Sequence, residues 1–238
     1  LDKNAVIRRY LGLLVEQGRR PVVTPFVRGG VGADPGLAAF AREAVITQPR
    51  DWSYTGKEPA VLRRVAWRLA PEYWKSFVLQ EIDITNSERA SRPVRAILLD
   101  TSQFEREPGL AGTVLPGVYD AGSSGYLLPE QLEIVRTWLE ADQKDDAVVL
   151  LMGHHPQAVI GGPALQTLEK LRADFGVELY VSAHTHSSSY LVHAFGTGKQ
   201  LELNIGSTLD FPAQYRTLAV RQERGSRRTI MRSPRREL

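Results

Sequence analysis

Cysteine is absent from the 238 residues. Its absence excludes disulfides, thiolate metal sites and a thiol nucleophile, but leaves the compartment open because exported proteins need not carry any. No apolar run approaches the roughly 20 residues that a membrane-spanning helix requires. A soluble protein is therefore expected, cytoplasmic in preference to exported. The chain opens on Leu1 with neither an initiator methionine nor a signal peptide, so a processed product or a missing front end is expected. Net charge is small too: the formal +3 is outweighed by a local +4 in Gln222 to Leu238, where six arginines face Glu223 and Glu237. The remainder is about neutral, and the basic segment reads as a solvated, flexible tail. It lacks the interleaved aromatics of a single-strand site, so nucleic acid ranks last among partners.

What the chain does contain is enough apolar sequence, 42%, for a core of one large domain. We expect that domain over residues 1–221. Asn4 to Gly18 has near-helical spacing, and Pro21-Val22-Val23 begins a strand. Residues 28–76 are rich in Gly and Pro and read as a variable loop or insertion, with one short helical candidate, Leu37 to Val45. Phe77 to Ile84 and Val94 to Leu99 suit a hairpin. Pro129 to Ala141 and Pro163 to Phe175 read as helices, and Ala147 to Met152 and Val177 to Val181 as buried strands. Tyr190 to Phe195, Leu201 to Ile205 and Thr217 to Val220 follow as further strands.

The segment between 129 and 181 thus contains a βαβ unit, whose strands should be parallel and joined by a right-handed crossover. Loops after both strands then share one carboxyl edge, where α/β sheets build their sites. His154 and His155 follow the first strand in VVLLMGHHPQAVIGG; His184 and His186 follow the second in VSAHTH. Four of the five histidines fall in these two loops. Neutral imidazole is a common ligand of Zn²⁺, Mn²⁺ and Fe, and His-x-His lets two rings point one way from extended backbone. His193 has no such company and reads as structural.

The motifs MGHHP, SAHTH and LNIGS resemble the C-terminal half of the calcineurin-like metallophosphoesterases, with AILLDTS similar to that family's central strand. The resemblance spans roughly residues 77 to 210. It implies an α/β fold, a four-layered α/β/β/α sandwich expected to lack its first strands, and a dinuclear centre of Mn, Fe or Zn that hydrolyses a phosphate mono- or diester. It further implies His154 and His184 as ligands of one metal, His186 as a ligand of the other, and Asn204 and Ser207 as supporting residues. His155 matches no ligand; it either orients the loop, approaches the substrate phosphate as a catalytic candidate, or packs beside Pro156. Ala183 replaces the family's usual glycine.

The family's N-terminal metal motifs are missing. Leu1-Asp2-Lys3 is similar to the tail of a Gly-Asp-x-x-Asp, which would make Asp2 a supporting residue, but PVVTP runs into PFVRGG and not into Gly-Asn-His-Asp. No asparagine or histidine lies between Gln17 and Gln80. Asp34, Asp51 and Asp120 are possible substitutes from the loops, and Asp210 reads as a turn residue. The chain as it stands supplies ligands for one ion or none. Two functions are therefore carried forward: a metallophosphoesterase acting on a phosphorylated substrate, and a truncated or degenerate homologue that binds metal or protein without catalysis. A cupin-like site is disfavoured, because Ser189 and Tyr190 stand where its glutamate would fall and helices flank the histidines.

Overall fold

The computed structural model describes residues 3–16, 21–25, 41–46, 61–85, 90–103, 124–196, 198–207, 214–223, 229–233 and 235–237. The fold is mixed α/β, with three α-helices and one large mixed sheet among the described residues. Helix α1 (Lys3–Glu16) precedes β1 (Pro21–Pro25), β2 (Ala41–Ile46), β3 (Val61–Arg68), β4 (Phe77–Asp83) and β5 (Val94–Leu98). Then come α2 (Pro129–Lys144), β6 (Val148–Met152), α3 (Gly162–Asp174), β7 (Leu179–Ser182), β8 (Ser189–Phe195) and β9 (Gly198–Asn204). Four short strands follow: β10 (Gln214–Arg216), β11 (Ala219–Gln222), β12 (Thr229–Arg232) and β13 (Arg235–Glu237).

The main sheet runs β1-β2-β3-β4-β5-β6-β7-β9-β8. Its first five strands are antiparallel, β5, β6, β7 and β9 are parallel, and β8 returns antiparallel to β9. The expected βαβ unit is present: α3 links β6 to β7, which pair in parallel from Leu151↔Tyr180. Pro129 and Pro163 sit in the first turns of α2 and α3, where a missing N–H leaves no helical bond unmade. Leu132, Val135 and Leu139 all turn inward on α2, beside Trp138.

The parallel strands are covered on both faces, as their continuous apolar sequence requires. One face carries Ile97, Leu151 and Tyr180 against Trp138 of α2 and Leu168 and Leu171 of α3. The opposite face divides in two. Ile7 of α1 packs on Leu62, Val65 and Trp67, while Leu150, Leu179, Val181 and Leu203 pack near Val220 and Met231 of the β11–β12 pair.

Three expectations change. The helical candidate Leu37 to Val45 is not realised where it is described, since Ala41–Ile46 pairs on both edges as β2; cross-strand pairing overrides the helix preference of the Ala-Arg-Glu-Ala run. The same 28–76 region also holds β3. Finally, the basic segment expected as a flexible tail contributes β12 and β13, which pair with β11 and β10. Met231 packs inward there, and that burial outweighs the charge around it.

Candidate metal centre

Because β5, β6, β7 and β9 run in parallel, the residues that follow them share one edge. They are Asp100 and Thr101, then His154 and His155, then His184 and His186, then Ser207. The two histidine loops are joined directly, since the Ala183 N–H donates to the His154 carbonyl at 2.9 Å and the Gly153 N–H to that of Val181 at 2.9 Å.

His154, His155 and His184 each bring one ring nitrogen within 4.8 Å of the others. His184 Nδ1 lies 3.2 Å from His154 Nε2. Without an ion, one ring N–H donates to the other nitrogen. The same spacing suits coordination, because nitrogens about 2.0–2.1 Å from a tetrahedral ion lie about 3.3 Å apart. His154 is exposed, His184 half-buried and His155 buried, so a cation meeting this group would approach from solvent. The His154 imidazole is held below its ordinary pKa by partial burial, then by the charges that His184 and His186 would carry. The neutral ring, the form that binds metal, is thereby favoured.

His155 is better defined than its sequence allowed. Its Nδ1 pairs with Thr101 Oγ at 2.8 Å, and its carbonyl accepts from the Tyr180 hydroxyl at 2.7 Å. Its ring lies 4.7 Å from that of His184, centre to centre. Gly125 and Gly153 make room for this arrangement. A β-carbon on Gly125 would meet His155 Cβ at 2.6 Å, and one on Gly153 would meet Thr101 Cγ2 at 2.8 Å.

His186 stands outside the three-histidine group and is exposed. Both it and His184 adopt positive φ, 55° and 66°, and Asp146 is the only other non-glycine to do so among the described residues. Left-handed backbone at a residue with a β-carbon is strained and gathers at functional sites.

Asn204 is bonded to the residues on either side of His184. It donates to the Ala183 carbonyl at 2.7 Å and to Ser182 Oγ at 3.0 Å, and accepts from Thr185 Oγ at 2.9 Å. His193 is structural, bonded through Nε2 to Glu202 at 2.8 Å. Asp2, Asp34, Asp51, Asp120 and Asp210 lie outside the described residues. Sequence reading missed Thr101, Tyr180, Arg172 and Glu202. Only Glu202 left a signal, an acid between the apolar Leu201 and Leu203.

No family model matches the chain. No curated protein matches it either. Among solved structures, GAP50, the anchor in the inner membrane complex of Plasmodium, is similar over 59% of this chain at 17% identity and a TM-score of 0.34. The matched stretch spans 39% of that protein's length. A likeness at this score decides neither fold nor function.

Proposed function

We propose that the edge carrying His154, His155 and His184 is a metal site and that the chain belongs to a metal-dependent phosphoesterase of the calcineurin-like type. One observation carries the reading: loops 30 residues apart in sequence bring His184 Nδ1 and His154 Nε2 to 3.2 Å, the edge length of a coordination polyhedron. Mn²⁺, Fe and Zn²⁺ all suit imidazole. On this reading His154 and His184 hold an ion, with His155 fixed beside them by Thr101 and His186 turned toward solvent. A bound divalent ion supplies positive charge that polarises a phosphoryl oxygen and acidifies water. His155, anchored at Nδ1, orients the first loop behind the ligands. The reading brings with it the four-layered α/β/β/α sandwich; its support is the helix, sheet and small-sheet layering around β6, β7 and β9. The substrate is a phosphorylated compound.

The second reading, a metal-binding or interaction module without catalysis, is favoured by the donor set itself. Among the described residues the group contains three imidazoles and no carboxylate, whereas a two-metal centre needs a bridging anion.

Metal analysis of the purified chain, together with aryl-phosphate hydrolysis in the presence of Mn²⁺ or Zn²⁺, separates the two. The phosphoesterase reading expects bound metal and metal-dependent turnover, both lost in His184→Ala. Bound metal with no turnover selects the module. If no metal binds and His184→Ala behaves as the unaltered protein does, the phosphoesterase and the metal-binding module both fail.

A further inference from the structure

A carboxylate buried in the middle of a sheet is costly unless every lone pair is answered. Glu202 on β9 is fully buried, and its partners come from both histidine loops. The Gln157 N–H, two residues past His155, donates to both carboxylate oxygens at 3.3 and 3.4 Å. Ser182, two residues before His184, donates its hydroxyl at 2.5 Å. His193 of the edge strand β8 completes the set through Nε2. Two residues on and on the same face of β9, Asn204 extends the hold to Ala183 and Thr185.

Arg172 of α3 supports this arrangement through the groups around the carboxylate. Its Nη1 donates to the Gln157 side chain at 2.6 Å, and its Nη2 to the carbonyls of Glu178 and Leu201 at 2.8 Å each. Burial pushes the guanidinium down to about 10, and the charge of Glu202 works against that shift. Arg172 therefore remains positive at neutral pH and balances the buried carboxylate.

We propose that Glu202 is the common anchor of the two histidine loops, a positioning residue that sets the separation of His154 and His184. The Gln157 bond holds the first loop and the Ser182 bond holds the second, so one side chain fixes the distance across which an ion would be gripped. The positive φ of His184 requires such over-determination, since strained backbone persists only where its surroundings leave no alternative. The consequence for metal binding rests on the reading above; the anchoring itself does not.

Hydrogen exchange followed by mass spectrometry on the full chain tests it. Glu202→Gln, which keeps the shape and removes the charge, should raise exchange about tenfold or more in peptides covering 153–158 and 182–187 together. Glu81→Gln, which alters an equally buried carboxylate on β4, should leave both loops at the protection of the unaltered protein. Unchanged protection in the Glu202 variant, or loosening confined to one loop, overturns the anchor. Ser182→Ala is the milder variant should Glu202→Gln fold poorly. It should loosen 182–187 and spare 153–158, and equal behaviour of the two loops overturns the proposal.

Titration with Co²⁺ provides the second arm. In Glu202→Gln the ion should bind about 10–100-fold more weakly, with a shifted visible absorption band, as happens when the groups behind metal ligands are altered; unchanged affinity and band count against it. If the unaltered protein takes up no Co²⁺, the metal-site reading fails, and the exchange result still decides the anchor.

Discussion

The backbone at His184 and His186 carries a penalty that a glycine would not. Left-handed backbone disfavours a β-carbon by roughly 1–2 kcal/mol, and glycine returns part of that gain through its greater freedom in the unfolded chain. His186→Gly should therefore stabilise the fold by about 0.5–1 kcal/mol net, read as a higher urea midpoint with an unchanged slope. A lower midpoint would mean that the histidine's own interactions exceed the strain. The resemblance offered these two positions as candidate ligands, but not their conformation, because the sequence carries no glycine or asparagine there to signal a positive φ. His155 shows the converse. Its sequence context left three roles open, and what fixes its ring is Thr101, more than 50 residues earlier, which reaches it only because β5 and β6 pair in parallel.

At the scale of elements, α2 is fixed to the sheet by charge as well as by Trp138. Asp142, at its C-terminal end, is fully buried and accepts from Arg95 at 2.5 Å and Arg64 at 3.1 Å. Glu81 lies in the same cluster, bonded by Arg64 at 2.5 and 2.7 Å. Arg63 also approaches, 3.8 Å from both acids. Two adjacent arginines reach one side because β3 changes register between Leu62 and Arg64, and a bulge of this kind breaks the alternation of faces. That break is why β3 could not be read as a strand.

Burial, followed by the nearby charge of Glu81, pushes the Asp142 carboxyl up to about 7 from 3.8. The folded chain therefore binds this proton more tightly than the unfolded one. The stabilisation is complete below about pH 4 and is lost as pH rises toward 7, at up to about 1.4 kcal/mol per pH unit. Asp142→Asn should flatten this part of the stability curve, measured by urea unfolding at several pH values between 4 and 8. A slope identical to that of the unaltered protein would remove Asp142 as its source.

For the molecule as a whole, the order of layers decides what the C-terminal segment does. Leu150, Val181 and Leu203 turn away from the helices and need cover, and β11–β12 supplies it through Val220 and Met231. Removing residues 224–238 should lower the melting temperature by several degrees, as expected for about 1 kcal/mol or more in a domain of this size. A frayed tail could be removed without effect, so an unchanged melting curve would restore that expectation. The six arginines were legible as charge, while the two apolar residues between them, Ile230 and Met231, were too short a run to signal a strand.

Taken by itself, the sequence determined the elements whose periodicity is local and unbroken. These are α1, α2 and α3, the β4–β5 hairpin and the parallel β6 and β7 strands, because apolar spacing and proline placement act within a few residues. It also determined that histidines converge on one edge, since a βαβ unit makes its two strands parallel. Only the tertiary structure decided the course of β2 and β3 and the covering role of the basic segment. It alone also decided that His155, and not His186, joins His154 and His184, and that one buried glutamate lies behind both loops. Each of these depends on partners distant in the chain, and a buried charge or a left-handed histidine is tolerable only where those partners are in place.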